Sequence, residues 1–163
     1  MASTLQPLPH APVVMVFGLL ELLREAPGGR EDLYKLGGPL GYELDDLLPV
    51  TEAAKQLGLV QVVAGDIELT SEGAEVAAAD EPDRKHLLGP RLATLPLIAD
   101  VLQALGARAD GRVGKKAFRE LLEQKYSPGE AEKQITTAVD WARYGELFDF
   151  DPDAEEFVRG TLA

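Results

Sequence analysis

Gly111-Arg112-Val113-Gly114-Lys115-Lys116 comes nearest of any segment to a phosphate-binding loop. Such a loop needs a Gly five residues before its Gly-Lys pair and a hydroxyl residue after it. Backbone N–H groups then cradle the phosphates and the hydroxyl holds magnesium. Here Ala109 and Lys116 occupy those two positions, and no strong strand pattern precedes them, so nucleotide binding is not expected. The two histidines, His10 and His86, are too few and too far apart for a metal site or a catalytic triad. Cysteine is absent, which removes thiolate ligands, disulfides and a Cys nucleophile. Asp149, Asp151, Asp153, Glu155 and Glu156 approach a calcium loop. Ala154 stands where its sharp turn needs Gly, and no Glu follows at the twelfth position, so the run reads as a solvated turn. No catalytic, cofactor-binding or metal-ligating residues are expected, and the chain is expected not to be an enzyme.

What remains is binding through surface charge or aromatic side chains. Arg108, Arg112, Lys115, Lys116 and Arg119 form the one basic cluster, with Glu120 and Glu123 as nearby partners on a solvated helix face. The net charge of −12 is uneven: residues 1–80 carry 4 basic and 13 acidic side chains, residues 81–163 carry 12 and 15. Nucleic acid is a disfavoured partner, because duplex binding neutralises phosphates with Lys and Arg, and a chain of net −12 is repelled from them at long range. Trp141, Tyr144, Phe148, Phe150 and Phe157 are the main aromatic concentration. Most belong in a core. Aromatic side chains also make the strongest interface anchors. An exposed apolar patch containing at least one of Trp141, Tyr144, Phe148 and Phe150 is therefore the expected partner-binding site.

The elements that would position these residues follow from apolar spacing and from Gly and Pro punctuation. Residues 1–12, with three prolines, read as an extended lead-in. A helix is expected over about 13–24, and a short one over 31–36 ended by Gly37-Gly38-Pro39. A longer helix follows over 44–57, with Leu44, Leu47, Leu48, Ala54 and Leu57 on one face and Gly58 as its stop. Strands are expected at 59–63 and 67–69, and Thr70 caps the next helix. Helices over 84–95, 97–107 and 114–126 come next. Ser127-Pro128-Gly129-Glu130 opens a helix to Tyr144. Gly145 stops it, and a second hairpin follows at 147–150 and 156–158. The order of elements repeats, with Gly29 matching Gly111 and Gly58 matching Gly145. The expected fold is mainly α with minor β hairpins: two winged-helix-like units, residues 13–80 and 97–160, joined by a linking helix over 81–96. No apolar run reaches the roughly 18 residues that span a bilayer, and no signal peptide pattern is present.

Several stretches resemble a known family. They are Leu8-Pro9-His10-Ala11, Gly18-Leu19-Leu20-Glu21-Leu22-Leu23, Asp45-Asp46-Leu47-Leu48-Pro49, Glu52-Ala53-Ala54-Lys55-Gln56-Leu57-Gly58, Gly65-Asp66-Ile67-Glu68-Leu69-Thr70 and, most specifically, Asp140-Trp141-Ala142-Arg143-Tyr144-Gly145-Glu146-Leu147-Phe148. Together, over about residues 8–158, they resemble the AAA-associated C-terminal domain that follows the ATPase of nitrate-, sulfonate-, taurine- and bicarbonate-type ABC importers. The family domain usually follows a nucleotide-binding domain with Walker motifs. This chain has none, so it is expected to be a stand-alone member or an excised tail. The resemblance implies a regulatory or docking role and an ABC transporter ATPase subunit as the protein partner, and it supplies no catalytic residues or cofactor. Localisation would be cytoplasmic, or peripheral at the inner face of the membrane through a transporter. The alternatives are a winged-helix transcription regulator and a homodimeric scaffold.

Overall fold

The computed structural model describes residues 7–41 and 43–160, with the backbone alone for Leu44. Residues 1–6 of the expected lead-in, and the expected inward side chain of Leu44, lie outside this description. Among the described residues the chain is mainly helical, with eight α-helices and two three-stranded antiparallel sheets. It divides into two compact units: Pro9–Leu88, and Gly89–Ala163 together with Met1–Leu8.

The N-terminal unit opens with α1 (Val13–Glu25), which buries Val16, Leu19, Leu20 and Leu23 at helical spacing. A 3-10 turn at Pro27–Gly29 leads into β1 (Arg30–Asp32). Next come α2 (Leu33–Leu40), α3 (Leu44–Gln56), the hairpin of β2 (Val60–Val63) and β3 (Asp66–Leu69), and α4 (Ser71–Ala78). The sheet order is β1-β3-β2. α1 packs on α3, α4 and β3. Thr70 links hairpin to helix: its hydroxyl donates to the Gly58 carbonyl at 2.7 Å and accepts from the Gly73 N–H at 3.0 Å. Gly73 fits because α4 runs so close to the strand entry that a Cβ there would lie 1.8 Å from the Leu59 carbonyl oxygen.

α5 (Glu81–Leu92) carries the chain into the second unit. There α6 (Pro96–Gly106), β4 (Arg112–Gly114), α7 (Lys115–Glu123), α8 (Pro128–Tyr144) and the hairpin of β5 (Phe148–Asp151) and β6 (Glu156–Arg159) repeat the first unit's order. The sheet order, β4-β6-β5, is also the same. Helix, short strand, helix, longer helix and hairpin is an arrangement compatible with winged-helix-like units.

Two local expectations need correction. The short helix expected over 31–36 begins later and does not stop at Gly37-Gly38-Pro39. Asp32 caps it by accepting from the Tyr34 N–H at 2.8 Å, and residues 30–32 pair as a strand instead. Pro39 is tolerated next to the helix end, and the chain turns off at Gly41, with φ 71°. The repeat register is also shifted by one residue. The helix-ending bonds Leu57 N–H to Ala53, Gly58 N–H to Lys55 and Leu59 N–H to Ala54 recur as Gly145 to Trp141, Glu146 to Arg143 and Leu147 to Ala142. Each pair is 88 residues apart, so Gly58 corresponds to Glu146. Gly58 has φ 75° and Glu146 has φ 58°. Gly145 itself has φ −78° and is small for another reason: a Cβ there would meet Leu92 at 3.0 Å and the Gly89 backbone at 3.6 Å.

The repeat extends to an ion pair at the head of each sheet. Arg30 on β1 reaches Asp66 on β3 at 2.8 Å, and Arg112 on β4 reaches Glu156 on β6 at 3.0 Å and Asp151 at 3.1 Å. In the second unit the buried amide of Gln134 also clasps Leu8. Its oxygen accepts from the Leu8 N–H at 2.7 Å, and its nitrogen donates to the Leu8 carbonyl at 2.9 Å. The Leu8 side chain is buried.

Candidate partner-binding surface

α8 positions most of the candidate surface. Ser127 caps it by accepting from the Glu130 N–H at 3.1 Å, and Pro128 occupies its first turn. Ile135, Ala138, Trp141 and Ala142 form its buried stripe. Four phenylalanines then pack edge to face: Phe118 and Phe157 at 5.5 Å between centroids, Phe148 and Phe157 at 5.7 Å, Phe150 and Phe157 at 5.5 Å. Trp141 and Phe148 are completely buried. They are core residues, and the aromatic area open to a partner falls to Tyr144 and Phe150, both half-buried.

Phe150 forms one wall of a groove of about 310 Å³ with Lys115, Glu132, Ile135, Thr136, Val139, Asp140 and Arg143. Tyr144, in the last turn of α8, is not among its walls. Ile135, Val139 and Phe150 supply an apolar floor, and ion pairs make the rim. The carboxylate of Glu132 bridges the Lys115 ammonium and the Arg119 guanidinium, the latter at 3.0 Å. The Lys115 hydrogen bond, with the two positive charges, holds Glu132 below the usual carboxylate range against a smaller opposing effect of burial. Lys115 also lies 5.8 Å from the Phe150 ring centroid. On the far side Arg143 grips the buried carboxylate of Asp149 at 2.6 and 2.7 Å.

The basic cluster is thus largely spoken for, by partners mostly different from those expected from spacing. Lys116 faces Glu120 at 3.8 Å, but Lys115 and Arg119 share Glu132, and Arg112 pairs with Asp151 and Glu156. Glu132 escaped notice because it lies 17 residues from Lys115, a contact only the packing of α7 on α8 creates. Asp151 also accepts from the backbone N–H groups of Asp153 and Ala154 at 3.1 and 3.2 Å, which holds its carboxyl below the usual range together with Arg112. Among the described residues no group of three or more His, Cys, Asp or Glu is placed to hold a metal ion. Among them, too, no helix is long and apolar enough to cross a membrane. An apolar floor inside a rim of paired charges suits reversible association.

The family model described as the C-terminal AAA-associated domain matches residues 34–151, which takes in α2 through β5. No curated protein and no solved structure is a significant match to the chain.

Proposed function

The chain belongs to the C-terminal AAA-associated domain family, and on that premise we propose that it is a non-catalytic accessory module that regulates or docks onto the ATP-binding subunit of an ABC importer. The family match carries this reading, since it names an association with an ATPase and covers most of both units. The groove at Phe150, with Tyr144 nearby in sequence on α8, supplies a contact surface of apolar floor and polar rim. The module would work in the cytoplasm, reaching the membrane's inner face only through the transporter.

The test is co-expression with the ATP-binding subunit encoded beside an importer permease, followed by affinity capture. Tyr144→Ala and Phe150→Ala together should weaken capture by about tenfold or more, as loss of an aromatic anchor does. Capture unchanged by the double variant would remove these residues from the interface. Absence of capture, with a mass that doubles with concentration, would favour a homodimeric scaffold instead.

A transcription regulator is the weaker reading. In winged-helix readers the longer helix enters the major groove. On α3 that helix exposes Glu43, Asp45, Asp46 and Glu52 against Lys55, a charge pattern that repels phosphate.

A further inference from the structure

We infer that the N-terminal unit carries its own docking face, between α3 and the β2–β3 hairpin, and that its occupant is a cationic amphipathic helix with an aliphatic stripe. The inference does not depend on what the groove at Phe150 binds.

The argument starts from the 88-residue register fixed by the matched helix-ending bonds. Six positions of α8 line the groove described above, and four of them, Thr136, Val139, Asp140 and Arg143, have counterparts that form one stripe of α3. Their counterparts on α3 are Leu48, Thr51, Glu52 and Lys55. These stand at i, i+3, i+4 and i+7, which is one stripe of a helix. Phe150 corresponds to Val62 on β2. Each sits opposite the core residue of the third strand, Phe157 and Ile67 respectively. Lys115, the first residue of α7, corresponds to Leu33, the first residue of α2.

Where the C-terminal unit places Thr136 and Lys115, the N-terminal unit places Leu48 and Leu33, and Val62 keeps an apolar side chain in the place of Phe150, while Thr51 in the place of Val139 runs the other way. Leu48 is 47% exposed and Val62 is 51% exposed. Only four large apolar residues among those described are this open, and two of them fall on this face. Thr51, on the same stripe, is 94% buried, and its hydroxyl oxygen makes no hydrogen bond.

Charge selects the occupant. Residues 9–88 carry 6 basic and 15 acidic side chains, a net of −9. Glu43, Asp45, Asp46 and Glu52 on or at the cap of α3 are all exposed, while Lys55 is drawn to Glu52 at 3.5 Å. A second copy of this chain, an anionic lipid surface or a nucleic acid would each bring more negative charge to that rim. A helix bearing Lys or Arg beside its aliphatic stripe satisfies both features: the stripe seats against Leu48 and Val62, and the cations meet the acids of α3.

The experiment uses the full chain and two fluorescent helical peptides of equal charge. One carries Leu at every third or fourth position among Lys residues, and the other carries Ser in place of Leu. Anisotropy at physiological ionic strength should show saturable binding of the Leu/Lys peptide and at least about tenfold weaker binding of the Ser/Lys peptide. Leu48→Ser with Val62→Ser should weaken the Leu/Lys peptide by about tenfold. Val14→Ser, another exposed apolar residue (71%) on α1, should leave it unchanged. All three substitutions are at the surface, and unchanged circular dichroism and unfolding midpoints would verify that the fold persists. Equal binding of the two peptides would mean charge attraction only and would overturn the proposal. So would binding that the Leu48/Val62 double variant leaves intact, or no binding of the Leu/Lys peptide.

Discussion

A single carboxylate, Glu132, decides how a nearly buried ammonium is tolerated in the C-terminal unit. Lys115 is 91% buried as a residue, and one oxygen of Glu132 meets it while the other holds Arg119 at 3.0 Å. Because the folded state lowers the pKa of Glu132 below its ordinary value, the pair stabilises the fold above about pH 4.3, the unfolded carboxyl's range. That contribution is lost as pH falls through the folded pKa. Glu132→Gln should therefore be less stable than the parent at pH 7, by no more than about 1 kcal/mol because Glu132 is 44% exposed and screened. The gap should narrow as pH is lowered below the unfolded carboxyl's range toward the lowered folded pKa. Urea unfolding over a descending pH series measures it, and a gap that stays constant would show that the charge of Glu132 is irrelevant. Spacing in the sequence identified the basic residues but not this partner, since helical neighbours at i+3 and i+4 are visible in a sequence and contacts between helices are not. The aromatic candidates were separable only in part for the same reason. Trp141 and Phe148 point into the core and Phe150 opens onto the groove, although all three lie within ten residues of one another.

Helix ends are the elements whose chemistry was most readable. Thr70 and Ser127 cap as their positions before apolar-periodic segments imply, because a cap is made within three or four residues and needs nothing from the rest of the fold. The strands β1 and β4 were missed: three residues are too short to show alternation, and each exists only because a later strand, β3 or β6, pairs with it. α8 ends after Tyr144 with Gly145 as its cap, as expected, but the match of Gly145 to Gly58 was off by one residue for a subtler reason. Gly145 is small to admit Leu92 and Gly89, and the left-handed turn falls on Glu146 at φ 58°. A residue with a Cβ is disfavoured there by about 1 kcal/mol. Glu146→Gly should thus raise the unfolding free energy by about 0.5–1 kcal/mol, net of the greater freedom of glycine in the unfolded chain. Gly58→Glu, at the matching place in the first unit, should lower it by a similar amount. Chemical denaturation of both variants tests the register directly, and effects of the same sign would contradict it.

At the scale of the whole chain, the doubled order of elements agrees with the division into two compact units. The sequence allowed that much because punctuation by Gly and Pro recurs. It concealed that Leu8 counts with the distant unit, since nothing in a proline-rich stretch announces a docking point. Gln134→Ala removes both bonds to Leu8 and leaves a buried N–H and carbonyl without them, so it should cost about 1–3 kcal/mol. Deleting residues 1–8 should cost a similar amount and should add little when combined with Gln134→Ala. Independent, additive losses in equilibrium unfolding would deny the coupling. The clasp also imposes an order of events during synthesis. Leu8 leaves the ribosome 126 residues before Gln134, and at roughly 5–20 residues per second that is a wait of about 6–25 seconds. The Pro9–Leu88 unit has time to fold in that interval, while Leu8 waits for its partner until α8 emerges.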